Sequence, residues 1–91
     1  MRIVSQDKMI DTPYDGAVVY AYYRKNDVQI YISNVGDDED FPIGTYNNNK
    51  EVEYVMSLIR TAFAYENRYF YMPKAEDASI IKLKMKDGEQ E

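Results

Sequence analysis

The sequence predicts a small α+β domain, with one amphipathic helix packed on a small, mainly antiparallel β-sheet. Three observations lead there. The first half of the chain is built from short β-prone segments separated by turn chemistry. A single stretch in the second half carries apolar residues at helical spacing. The whole chain has 91 residues, enough for one domain and no more.

Arg2 to Ser5 is short and β-prone, and reads as a first strand. Asp11 to Gly16 holds a turn composition, in which Pro13 sets φ and Asp15-Gly16 favours reversal. Ala17 to Tyr23 is apolar and aromatic throughout, as in a well-covered strand. After the polar Arg24-Lys25-Asn26-Asp27, the segment Val28 to Ser33 alternates strictly, with Val28, Ile30 and Ile32 on one face and Gln29, Tyr31 and Ser33 on the other. That is a half-buried strand, paired with its predecessor as a hairpin.

An acidic loop, Gly36 to Asp40, closes at Phe41-Pro42, and Ile43 to Tyr46 reads as another short strand. Asn47-Asn48-Asn49 supplies an N-cap, with Glu51 and Glu53 in the first turn that follows. Val52, Val55, Met56, Ile59, Ala62 and Phe63 then fall at helical intervals, predicting a helix over about Asn48 to Tyr65 with these residues inward. Glu53, Ser57, Arg60 and Thr61 take the opposite face. Arg68 to Met72 reads as a strand ending at Pro73, and Ser79 to Lys86 as the last strand. The single domain is expected to run over residues 1–86, with 87–91 a flexible acidic tail.

Composition narrows the chemistry. The chain has no cysteine and no histidine. Disulfides, thiol nucleophiles and thiolate-held metals are therefore excluded, as are imidazole-based triads and most transition-metal sites. The formal net charge of −5 disfavours direct binding to nucleic acid, which needs a positive field. No apolar run approaches a membrane span, and the N-terminal residues lack the apolar core of a signal peptide, so the expected location is the cytoplasm. Ten tyrosines stand against three phenylalanines and no tryptophan. Their rings suit partly buried faces and interfaces better than a dry core. So short a chain buries only about 60–65% of its unfolded surface, which makes a homo-oligomer a natural way to bury more.

Residues in three blocks carry a family resemblance. Met1-Arg2-Ile3-Val4-Ser5-Gln6-Asp7, then Ile10-Asp11 and Pro13-Tyr14, form the first. Tyr46 with the Asn47 cap, then Met56-Ser57-Leu58-Ile59-Arg60-Thr61-Ala62-Phe63, form the second. Phe70-Tyr71-Met72-Pro73-Lys74-Ala75-Glu76-Asp77 form the third. In this order they resemble a family of small uncharacterised proteins from phages and prophages of Firmicutes. Members open with MRI(I/V)SQDG and D-x-PY, start a helix with Tyr-Ser-Thr-Glu-Glu and end it in M-x-x-L-R-x-A-Y. Lys8 stands where that pattern has glycine, and Asn47-Asn48-Asn49 where it has Ser-Thr-Glu. The resemblance implies a phage or prophage origin and brings no catalytic residues.

Four groups are candidates for binding. Asp37, Asp38, Glu39 and Asp40 form a contiguous acidic run that lacks the alternating ligand spacing and the glycine of a calcium loop, so no metal is expected there. The run reads as a solvated loop or as a contact to a basic protein surface. Tyr20, Tyr22, Tyr31, Tyr69 and Tyr71 sit in strands, with Tyr69 and Tyr71 on one face and Tyr20 and Tyr22 on another, and such rings can line the sheet, stack on bases or anchor an interface. Lys82, Lys84 and Lys86 alternate along the last strand and either bind an anionic ligand or protect a sheet edge. Arg60 lies on the polar helix face, within reach of Glu53 or Ser57, and could join an anion site. There is no glycine-rich phosphate loop and no cofactor signature. The expectation is a non-enzymatic binder or inhibitor of a host protein, with a counter-defence role. The alternative is an oligomer that sequesters an anionic, nucleotide-type ligand.

Overall fold

The computed structural model describes residues 1–78. The strand expected at residues 79–86, with Lys82, Lys84 and Lys86, and the tail at 87–91 lie outside the described residues. The chain runs β1 (Arg2–Val4), β2 (Asp11–Pro13), β3 (Val18–Tyr23), β4 (Val28–Ser33), β5 (Phe41–Tyr46), α1 (Asn49–Ala64) and β6 (Tyr69–Tyr71). A helical turn follows at residues 75–78. This is a small α+β fold, and its strands divide into two sheets rather than one.

The first sheet has the order β2-β1-β6, with β1 antiparallel to β2 and parallel to β6. The second is an antiparallel meander, β3-β4-β5. Between them the chain leaves β1 at Ser5 and Gln6. The Gln6 amide donates to the Ile43 carbonyl at 2.9 Å. Its side chain continues the ladder, accepting from the Thr45 amide at 2.7 Å and donating to the Thr45 carbonyl at 3.1 Å and the Pro73 carbonyl at 2.9 Å. One primary amide thus serves as a short piece of strand along the outer edge of β5.

The turn expected over Asp11 to Gly16 is corrected by β2, which occupies Asp11–Pro13. The first reversal falls earlier, where the Lys8 amide donates to the Ser5 carbonyl at 2.9 Å and Lys8 takes φ +64°. The second falls later, at Tyr14 to Ala17, with Gly16 at φ +78°. Pro13 fits β2 because the strand lies at a sheet edge, where a missing N–H breaks no ladder. Pro42 on β5 follows the same rule.

The core forms where β4 meets α1. Val28, Ile30 and Ile32 are buried and alternate with half-buried Gln29, Tyr31 and Ser33, as the period-two pattern predicts. Against them pack Val52, Val55 and Ile59 of the helix, with Ile3, Ile43, Tyr46 and Met72 from around the seam. At Tyr31 the register with β5 shifts by one, a bulge that brings both Ile43 and Gly44 inside. Gly44 has to be small: a Cβ there would stand 2.9 Å from the Tyr46 ring. The Tyr46 hydroxyl donates to the Pro73 carbonyl at 2.7 Å, and burial pushes its phenol well above the ordinary value.

Helix α1 begins at Asn48, whose side chain accepts from the Glu51 amide at 3.0 Å. Glu51 reaches back to accept from the Asn47 amide at 3.0 Å, a reciprocal arrangement of the capping-box kind. The helix ends in a Schellman turn. The Glu66 amide donates to the Phe63 carbonyl and the Asn67 amide to the Ala62 carbonyl, with Glu66 at φ +59°.

Of the residues expected inward, Val52, Val55, Ile59 and Ala62 are buried and Met56 is half-buried. Phe63 is not: it is 44% exposed and meets Tyr14 edge-on at 5.1 Å between centroids. At 3.6 residues per turn, Met56 and Phe63 fall together at one margin of the stripe. The buried arc lies toward the other margin, which explains why Glu51 is inside.

Candidate functional site

The strict alternation of β3 and β4 sorts their side chains onto two faces. Val19, Ala21 and Tyr23 pair with Ile32, Ile30 and Val28 on the face toward α1. Tyr20 and Tyr22 pair with Tyr31 and Gln29 on the opposite face, and β5 adds Pro42 and Thr45 to it. No helix of the described residues packs on that side.

Three tyrosines make a cluster there. The Tyr20 and Tyr31 rings stack at 5.7 Å with 21° between their planes. Tyr22 meets Tyr31 edge-on, also at 5.7 Å. The Tyr31 hydroxyl donates to Gln29 Oε1 at 3.1 Å, and Gln29 Nε2 donates to Thr45 Oγ1 at 3.3 Å. These contacts hold the rings in one arrangement.

Charged groups frame the cluster at two sides. The Tyr20 hydroxyl donates to Asp40 Oδ2 at 2.5 Å. This bond holds the Asp40 carboxyl below its usual range, helped by a hydrogen bond from Ser33, and raises the Tyr20 phenol to about 12. At the hairpin end, Arg24 grips Asp27 with two bonds of 2.6 Å, through Nε and Nη2. The pair raises the guanidinium and lowers the carboxyl. Asp37, Asp38 and Glu39 are exposed on the loop that leads to Asp40, behind a turn with Gly36 at φ +89°.

The acidic run and the tyrosines of β3 and β4 are therefore one surface, joined through Tyr20 and Asp40. Tyr69 and Tyr71 belong elsewhere. They sit on β6 of the other sheet, stack on each other at 6.3 Å, and carry Lys8 Nζ at 5.4 Å from the Tyr71 centroid. Arg60 is exposed on the helix, behind the meander, and among the described residues it has no ion-pair or hydrogen-bond partner. The other anion-binding candidate, the lysine stripe Lys82, Lys84 and Lys86, lies outside the described residues.

Arg24 is not among the candidates read from sequence, whereas Tyr31 is one of the strand tyrosines named there. Its place in the cluster follows from the two-residue hairpin loop after Arg24, which fixes the register that sets Tyr31 opposite Tyr20.

A cleft of about 260 Å³ adjoins this face at the seam, between Ser5, Gln6, Asp7 and the β5 residues 42–45. Its polar groups are engaged structurally. Ser5 Oγ donates to Asp7 Oδ1 at 2.6 Å and accepts from the Ile10 amide at 3.0 Å, and the Ser5 hydroxyl and Met9 amide hold the Asp7 carboxyl low. Among the described residues no three carboxylates gather as a metal would require, and no helix is long and apolar enough to cross a membrane. A scan against protein-family models and searches of curated proteins and of solved structures matched nothing.

Proposed function

We propose that this chain is a non-catalytic binding protein that engages a basic surface on a protein partner through the outer face of its β3-β4-β5 sheet. The observation that carries this reading is the joined surface of Tyr20, Tyr22 and Tyr31 with the acidic run through Asp40. Tyrosine is the residue type that protein interfaces concentrate, because it brings a large rigid ring and a polar tip at low entropic cost. Fixed rings lose little freedom on binding, and neighbouring carboxylates steer a positively charged partner into register. A chain with net charge −5 selects such partners at long range.

The resemblance to small phage proteins makes that partner a host protein in the bacterial cytoplasm, met in a counter-defence role. One backbone feature supports the resemblance. Lys8 stands where the family pattern has glycine, and its φ of +64° lies in the left-handed region that glycine adopts without strain.

The test is affinity capture from host lysate with three forms of the protein. Wild type and a Lys82→Gln, Lys84→Gln, Lys86→Gln variant should retain the same specific partner. A variant carrying Asp37→Asn, Asp38→Asn and Tyr22→Ser should lose it while keeping its melting temperature. Binding should also weaken as salt rises past physiological strength, where the screening length is about 8 Å. Retention by the face variant, or loss with the lysine variant alone, would sink this assignment.

A further inference from the structure

The three-stranded meander has two edges, and the fold treats them differently. The outer edge of β5 is closed by the backbone and side chain of Gln6. Among the described residues the edge at β3 is open. The Arg24 amide donates to the Asp27 carbonyl at 2.9 Å, which marks Arg24 as a hydrogen-bonded position of the hairpin. Antiparallel pairing alternates, so Tyr22, Tyr20 and Val18 also turn their backbone groups toward β4, while Val19, Ala21 and Tyr23 turn theirs outward. Among the described residues those outward groups have no partner.

Six residues, Val18-Val19-Tyr20-Ala21-Tyr22-Tyr23, thus present an edge with no charge, no proline and no bulge. Folded proteins ordinarily blunt such edges with one of these devices, since a free edge templates further pairing. The first sheet shows the contrast: its edge strands β2 and β6 have three residues each, and β2 carries Pro13.

We infer that β3 pairs antiparallel with β3 of a second copy across a two-fold axis at Ala21, making one continuous six-stranded sheet. This register uses every outward group: Ala21 faces its own mate, and Val19 faces Tyr23 of the partner subunit. On the outer face Tyr20 then lies beside the partner's Tyr22, an aromatic cross-strand pair at the closely spaced, non-hydrogen-bonded position. The residue on the axis is small, so nothing bulky meets itself there. The strand is uncharged, so two chains of net charge −5 meet where neither carries charge.

The assembly closes at two, because each far edge is already taken by Gln6. Tyr22 and Tyr23 are 54% and 63% exposed and Val18 62%. Rings of this size place on the order of 1,000 Å² within reach of burial over both copies, which suits a concentration-dependent dimer rather than an obligate one. The inference does not depend on what the tyrosine face binds.

The experiment is carried out on the wild-type chain, by sedimentation and by amide hydrogen exchange from micromolar to near-millimolar concentration. The mass should double across the series, and the amides of Val19, Ala21 and Tyr23 should gain at least tenfold protection in step. Tyr20 and Tyr22, bonded to β4 throughout, should change little. Ala21→Pro removes one outward N–H without touching the β3–β4 ladder and should hold the protein monomeric. A monomer at every concentration overturns the inference. So does a dimer whose Val19, Ala21 and Tyr23 amides still exchange freely, since its contact lies elsewhere. Protection of those amides in a monomer would mean that the edge is covered within one chain, and overturns it equally.

Discussion

The Tyr20 hydroxyl and Asp40 Oδ2 lie 2.5 Å apart, and that bond ties the β3–β4 pair of the open face to the acidic loop. It is a neutral phenol donating to an ionised carboxylate, so each group holds the other in its present state. Asp40 is lowered from its ordinary 3.8 and Tyr20 raised from 10 to about 12. The stabilisation from Asp40 is present above pH 3.8 and is lost as pH falls through the lowered value. That from Tyr20 is complete below pH 10 and is lost as pH rises through about 12. Tyrosinate absorbance should show one phenol titrating near 12, returning toward 10 in Asp40→Asn. An unchanged titration in that variant would mean the bond does not form in solution.

The phase of α1 is tested by two aspartate substitutions. Ile59 is 1% exposed at the centre of the buried arc, so Ile59→Asp places an unpaired carboxylate in the core. The expected loss is about 4 kcal/mol or more, enough to unfold much of a chain this small. Phe63→Asp at the exposed margin gives up only the edge contact with Tyr14, at about 1 kcal/mol. Equal melting temperatures for the two variants would place the helix in another rotation.

Gly44→Ala should destabilise through steric conflict. The added methyl would approach the Tyr46 ring to 2.9 Å and Met72 to 3.2 Å inside the core. Overpacking of this kind costs about 1–3 kcal/mol, read as a lower midpoint in urea with an unchanged slope. A neutral result would show that Tyr46 can move aside and that its bond to Pro73 is dispensable.

Glu66→Gly should stabilise. Glu66 occupies the left-handed position of the Schellman turn, where a side chain is strained and glycine is not. The gain should be about 1 kcal/mol, measured as a raised melting temperature. If Glu66→Ala raised it equally, the cause would lie in the removed charge rather than in the backbone.

Gln6→Ala should cost more than an ordinary part-buried polar substitution. Three hydrogen bonds of its side chain span Thr45 and Pro73, and their loss leaves the edge of β5 partly unpaired. At about 1 kcal/mol per bond the loss should reach roughly 2–3 kcal/mol. The Thr45 amide should also become fast in hydrogen exchange. A variant that kept Thr45 protected would show that another group seals that edge.

The sequence by itself determined the elements whose signal is local. Strict alternation from Val28 to Ser33 placed β4 to the residue, and the asparagine run 47–49 with the apolar spacing from Val52 to Phe63 placed α1, its cap falling on Asn48 rather than Asn47. The absence of cysteine and histidine excluded disulfides, thiol nucleophiles and imidazole-based sites. The tertiary structure decided what depends on pairing across distance. Asp11–Pro13 reads as a turn by composition and becomes a strand because β1 lies beside it. The seam between the two sheets is closed by Gln6, a residue with no local signature, meeting Thr45 far along the chain. Phe63 lies outside because the core that α1 covers is narrower than its apolar stripe. The candidate surface has the same origin: Tyr20, Tyr31 and Asp40 are ordinary residues of three separate segments until the register of the meander brings them together.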